Sequence, residues 1–296
     1  VEDQLEIGSG LTLVAGSTFA RIRRVNEQEI GGVGSYTRTY DNASPKLGLR
    51  WEAHEGIQIY GNVSRSFEPP SFSETGALAA PNRAQKAWTA EVGTRGKHGP
   101  LRWDWSVYSA KQRDEFLSLN DANGAPLGTI NAPRTTHAGV ELAADLELLE
   151  STCAGAQAAG HRLALRAAWT YGRFRFDRHP VYRDNALAGF PPHFVRSELT
   201  WEHTSGWHAS AWLEWVPRGA AVDFAHTLLA DPYATAGLRV GRRLTRGFSW
   251  FAELRNVFDR AYVATTGVIA DARGLDVRQF LPGEPRALYA GVEYRW

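Results

Sequence analysis

A chain of 296 residues, 43% apolar, 22% charged and 11% aromatic, has material for one large domain or two ordinary ones and is too apolar for disorder. Its 33 Lys and Arg against 32 Asp and Glu leave no charge excess to hold nucleic acid, and its one cysteine, Cys153, excludes an internal disulfide and any multi-thiolate metal site. No apolar run approaches the roughly 18 residues of a membrane-spanning helix, which leaves soluble proteins and the membrane β-barrel, and the 11 Trp and 29 Gly favour the barrel.

Val1 is not an initiator Met, and no basic stretch followed by an apolar core stands near it, so a signal peptide has been removed or the chain is a piece of a longer one. Period-two alternation then recurs along almost the whole length. It predicts twelve strands, at residues 11–25, 46–52, 57–66, 87–95, 102–117, 137–148, 162–174, 195–202, 207–215, 233–241, 248–255 and 287–296. The last is the clearest: Leu288, Ala290, Val292, Tyr294 and Trp296 form one apolar face, and Tyr289, Gly291, Glu293 and Arg295 lie on the other.

Short connections at 53–56, 97–100, 149–161, 204–206 and 242–247 alternate with long ones at 26–44, 67–86, 118–135, 175–194, 216–232 and 256–286. An outer-membrane barrel has this asymmetry, with short periplasmic turns and long outer loops. On that assignment Trp51, Trp103, Trp201, Trp207, Phe248 and Trp296 fall near the periplasmic ends on the apolar face, as an inner aromatic girdle, and Trp88, Trp169, Tyr171 and Trp215 fall near the outer ends. The opposite face carries Arg50 and Glu52, Glu91 and Arg95, Asp145 and Glu147, Arg162 and Arg166, Arg239, and Glu253 and Arg255, charges that can pair across strands around a wet lumen.

Several segments resemble one family. Ile59-Tyr60-Gly61-Asn62 through Phe67-Glu68-Pro69-Pro70-Ser71-Phe72, Glu91-Val92-Gly93, Asn131 with Arg134-Thr135 and Gly139-Val140-Glu141, Asn256-Val257-Phe258-Asp259-Arg260-Ala261-Tyr262, and Pro282 to Trp296 are similar, in order, to the C-terminal barrel of the TonB-dependent outer-membrane receptors. The resemblance implies an all-β, antiparallel transmembrane barrel in which about twelve strands match the last part of a 22-stranded barrel. It implies that residues 1–296 form one C-terminal barrel portion, with the plug, the TonB-contacting segment and the first strands lying outside it. The implied activity is active import of a scarce ligand, a ferric siderophore first, and haem or a non-iron cofactor such as pyrroloquinoline quinone second. The implied partners are outer-membrane lipid and the TonB complex. Haem receptors usually carry a His in the segment from Phe67 to Asn82, and this chain has none there.

Nothing groups into a catalytic site, and no resident cofactor or metal is expected. His179, His193 and His226 fall in outer loops, where solvation is the ordinary role. Anionic chelates call for planar cationic donors and aromatic faces, which the long connections supply in Tyr36, Arg38, Tyr40, Arg83, Arg134, Arg178, Tyr182, Arg183, Arg218, Arg273 and Arg278. Two other classes stay open: a complete twelve-stranded porin or outer-membrane enzyme, and a soluble β-sandwich carbohydrate-binding module.

Overall fold

The computed structural model describes residues 1–27, 35–71, 74, 83–121, 123–151, 160–244, 247–276 and 278–295. Cys153, Phe72 and Trp296 lie outside the described residues. The strands are β1 (Glu2–Gly8), β2 (Leu11–Asn26), β3 (Tyr36–His54), β4 (Ile57–Glu68), β5 (Gln85–His98), β6 (Leu101–Asn120), β7 (Pro126–Ser151) and β8 (His161–Phe176). They continue as β9 (His193–His203), β10 (Trp207–Val216), β11 (Tyr233–Arg243), β12 (Phe248–Arg255), β13 (Val263–Thr266), β14 (Phe280–Pro282) and β15 (Ala287–Tyr294).

Thirteen of them make a single sheet in chain order, β1 to β12 and then β15, every neighbouring pair antiparallel. The other two, β13 and β14, form a small hairpin inside the last long connection. All twelve predicted strands are present. The structure adds β1, which the alternation missed because Glu2, Asp3, Gln4 and Glu6 leave it only Leu5 and Ile7 as large apolar residues.

Two predicted long connections are corrected. β2 runs to Asn26 and β3 begins at Tyr36, so most of 26–44 is strand; β6 runs to Asn120 and β7 begins at Pro126, so most of 118–135 is strand. A tilted strand crosses a bilayer in about 9–11 residues, and β7 has 26. The surplus forms hairpins beyond the apolar band, the β2–β3 one largely exposed and the β6–β7 one packed on neighbouring loops at Leu117 and Ala132, so neither needs a continuous apolar alternation.

Register fixes which residues share a face. Leu11, Trp51, Ile59, Thr94, Trp105, Leu142, Trp169, Val195 and Trp215 are successive cross-strand partners from β2 to β10. This row starts beside a short turn and ends beside a long connection, which is the stagger of strands tilted in a barrel wall. The face it belongs to is apolar yet uncovered: Leu213 is 40% exposed, Leu238 50% and Val92 52%. A water-facing surface rarely carries an apolar patch this extensive, whereas a bilayer-facing wall requires one.

On the opposite face aromatic rings reach over glycines of the next strand. A Cβ at Gly93 would meet the Tyr60 ring, at Gly139 the Tyr108 ring, at Gly237 the Trp212 ring and at Gly291 the Phe251 ring. Each pair joins neighbouring strands, so the glycine makes room for a ring that pins the register. This gives the Glu-x-Gly segment a structural meaning: Gly93 receives the Tyr60 ring while Glu91 accepts hydrogen bonds from Tyr60 Oη at 3.3 Å and Asn62 Nδ2 at 3.1 Å.

Candidate functional site

The ring-bearing face also carries the ion-pair ladder expected of a lumen. Arg166 meets Asp145 at 2.7 Å, Arg162 meets Glu147 at 2.8 Å and Glu202 at 3.5 Å, and Arg239 and Arg255 both reach Glu253, at 3.3 and 2.5 Å. Apart from Glu253, which is buried, these groups are largely solvent-exposed, and the exposed pairs contribute little stability each; their consequence is a polar, wettable wall.

At the long-connection end, two loops and one hairpin close into a small core around Phe176. Leu117 and Ala132 of the β6–β7 hairpin pack with Phe176, with Leu187 and Ala188 of the β8–β9 loop, and with Ala221 and Phe224 of the β10–β11 loop. Asp114, at φ +57° opposite Pro133, interrupts the pleat where the hairpin leaves the wall. Just inside, Glu115 accepts hydrogen bonds from Thr135 Oγ1 and faces His137 Nε2 at 3.1 Å, and the imidazole stacks on Phe174 at 4.4 Å.

Polar knots lock the loops. Asp223, fully buried, accepts hydrogen bonds from Thr227 N at 2.9 Å, Thr227 Oγ1 at 2.7 Å, Leu228 N at 3.0 Å and, from the β12–β15 connection, Ala272 N at 3.1 Å. Burial pushes its carboxyl up, but the bonds from Thr227, Ala272 and Leu228 outweigh burial and hold it below the ordinary aspartate value. The β8–β9 loop joins through Asn185 Nδ2, which donates to Phe224 O at 2.8 Å, and through His226 Nε2, 2.8 Å from Ala186 O. A second knot explains the Asn-x-Phe-Asp segment: Asn256, at φ +45°, bonds the backbone of Arg260 and Glu284, and Asp259 accepts from Arg286 N at 3.0 Å. These asparagines and aspartates escape periodicity. The one local sign is Asp223 followed four residues on by Thr227, a side-chain-to-backbone turn.

The predicted ligand residues do not form one cluster. Arg178 and Arg183, both at positive φ, stand exposed on the β8–β9 loop, and Arg273 and Arg278 stand exposed on the β12–β15 connection. Those two segments meet at the Asp223 knot. Arg218 is exposed at the foot of the β10–β11 loop. Tyr182 packs against Phe176, His179 and Phe224, so it belongs to the loop core. Arg83 pairs with Asp114 at 3.0 Å, and its backbone is held by Asn131 at 2.7 Å.

Four of the residues are strand residues, which corrects their placement in loops. Tyr36, Arg38 and Tyr40 lie on one face of β3, opposite Asn26, Arg24 and Ile22 of β2. Arg134 lies in β7 opposite Arg113 of β6, on the outward face.

The histidines are also structural. His179 Nδ1 accepts from Val181 N and Tyr182 N, both at 3.2 Å, and burial pushes its imidazole below the ordinary value. His193 is the first residue of β9 and accepts from Trp169 Nε1 at 3.3 Å. Trp51, Trp103, Trp201, Trp207 and Phe248 all lie within a few residues of short turns on the outward face, opposite Leu11, Ala144, Leu163, Arg242 and Tyr294.

Residues 1–257 match the model of the TonB dependent receptor-like β-barrel. The chain belongs to the TonB-dependent receptor family. Among curated relatives, the metal-pseudopaline receptor CntO of Pseudomonas aeruginosa is 22% identical over 97% of this chain and 39% of its own length. Among solved structures, the ferric yersiniabactin uptake receptor FyuA of Yersinia pestis superposes with a TM-score of 0.76 at 16% identity, over 99% of this chain and 44% of the other. The unliganded ferric citrate transporter FecA gives 0.77 at 18%, over 99% and 44%. The chain thus spans less than half the length of these TonB-dependent receptors. Its similarity is to transport receptors rather than enzymes.

Proposed function

We propose that the chain is wall and mouth of an outer-membrane receptor that captures a scarce anionic metal chelate from outside, a ferric siderophore first, and admits it to the periplasm. Energy would come from the TonB complex, acting through the plug that the family carries ahead of its barrel. Trp51, Trp103, Trp201, Trp207 and Phe248 would sit at inner headgroup depth, and Trp88, Trp169, Tyr171 and Trp215 at outer headgroup depth.

The observation that carries the cargo class is the loop assembly itself. The Asp223 and Asn185 bonds tie three outer loops into one body, and that body presents the exposed guanidinium groups of Arg178, Arg183, Arg273 and Arg278. Guanidinium groups on a rigid rim suit the carboxylate and catecholate oxygens of a metal chelate. CntO, FyuA and FecA, each named for a metal carried by a small molecule, support the same class.

Growth rescue and uptake of radiolabelled ferric chelates, in cells with and without TonB, test the reading. Rescue that requires both this protein and TonB is expected. Uptake undiminished without TonB would overturn the energy coupling, and failure of every chelate would overturn the cargo class.

A further inference from the structure

Above the outer aromatic residues, the outward face of the wall turns cationic. Lys86, Arg113 and Arg134 are successive cross-strand partners on β5, β6 and β7. The row below runs from Trp88 to Lys111, and Arg173 stands two residues beyond Tyr171 on β8. Like charges directly opposite each other in a strand pair repel and destabilise the sheet, and here three cations are opposed in sequence. Lys111, Arg113, Arg134 and Arg173 are exposed, and the Lys86 ammonium lies 6.0 Å from the Phe67 ring centre. Among the described residues none of these five has a carboxylate within salt-bridge distance; the nearby Arg83 and Arg175 already hold Asp114 and Asp184.

The register excludes the lumen as the source of a counter-charge. Trp88 and Val92 share the outward face of β5 with Lys86, and Trp105 and Val107 share that of β6 with Lys111 and Arg113. Cargo passing through the barrel cannot reach these groups. An anion that meets them must stand beside the wall, level with and just beyond the outer aromatics, where lipid headgroups lie.

We propose that Lys86, Lys111, Arg113, Arg134 and Arg173 form a docking site for the phosphate groups of outer-leaflet lipopolysaccharide. The acyl chains of that glycolipid lie on the apolar band below, and its phosphates neutralise the opposed cations. Arg134 is thereby assigned to lipid rather than to cargo. The assignment rests on the membrane-barrel reading and not on the identity of the cargo.

The intact protein in detergent micelles is titrated, with native mass spectrometry as readout, with bisphosphorylated lipid A, with phosphatase-treated lipid A and with inorganic phosphate. The phosphorylated lipid is expected to bind about tenfold or more tightly than its dephosphorylated form, with no binding of inorganic phosphate. A Lys86→Gln, Arg113→Gln, Arg134→Gln variant is expected to lose that preference, and a Lys86→Arg, Arg113→Lys, Arg134→Lys variant to keep it. The wild-type comparison between lipids stands even where a variant fails to fold. A protein that needs detergent for extraction yet binds both lipids alike, or neither, overturns the docking site alone. A protein that leaves cell envelopes without detergent overturns the membrane reading beneath it.

Discussion

Removing the Asp223 carboxylate should loosen the outer loops without unfolding the wall. Asp223→Ala takes away the acceptor for two backbone N–H groups of its own loop, for the Thr227 hydroxyl and for Ala272 N across the β12–β15 connection. A hydrogen bond to a charged group contributes about 1.5–3 kcal/mol, and the freed donors partly recover water, so the loss is about 3–5 kcal/mol of local loop stability. Loop amides at Thr227, Leu228 and Ala272 should then exchange hydrogen about 100-fold faster or more, while amides in the middle of β10 and β11 keep their protection. Asp223→Asn, which keeps one acceptor oxygen, should fall between. The pH response follows from the depressed carboxyl of Asp223. A group whose folded value lies below its unfolded value stabilises fully above the unfolded value and loses that contribution as pH falls through the folded one. Loop protection in the wild type should therefore stay level from neutral pH down to about 4 and fall only in stronger acid. Hydrogen exchange resolved by mass spectrometry reads both effects. Unchanged exchange at the three amides in Asp223→Ala would refute the knot.

Other substitutions probe the wall and the rim. Gly237→Val drives a side chain into the Trp212 ring and should cost about 1–3 kcal/mol in urea unfolding from vesicles, whereas Gly61→Ala, whose added Cβ meets only Glu91 O at 3.6 Å, should cost nothing measurable. Leu238→Arg puts a charge at the middle of the outward band, between Ala211 and Leu254, and should cost about 2–4 kcal/mol. Thr170→Arg, on the inward face opposite Glu141, should be close to neutral in the same assay. Joint Arg183→Ala and Arg273→Ala should weaken chelate binding about tenfold or more, measured by calorimetry with ferric chelates, and leave the unfolding midpoint unchanged, because both side chains are exposed.

What the sequence revealed depends on where each residue stands relative to the apolar band. From Val107 to Tyr108, or from Leu213 to Glu214, polarity reverses at every step, because one face meets lipid and the other water; there the strands can be read directly. β1, the upper part of β3, the end of β6 and the start of β7 escape, because at Thr37-Arg38-Thr39 or Ser118-Leu119-Asn120 no continuous apolar face is required. Tyr36, Arg38, Tyr40 and Arg134 stand in such stretches, which read as loop from sequence alone. The rim is harder still. Its order comes from single buried groups such as Asp223, Asn185 and Asn256, whose partners lie in other loops and leave no periodic trace. The family segments, by contrast, turn out to encode packing: Gly93 and Gly139 seat rings, and Asn256 and Asp259 tie a turn.

Everything functional rests on which face of the sheet meets lipid, and spin-label accessibility along β6 measures it. In the intact protein reconstituted in lipid vesicles, with Cys153 and any cysteine outside these 296 residues changed to Ser, each position from Asp104 to Ser109 is changed singly to Cys and labelled. Labels at Trp105, Val107 and Ser109 should collide mainly with oxygen dissolved in the bilayer, and those at Asp104, Ser106 and Tyr108 mainly with a water-soluble nickel chelate. Accessibility that fails to alternate residue by residue, or alternates in the opposite phase, would contradict the barrel-wall account.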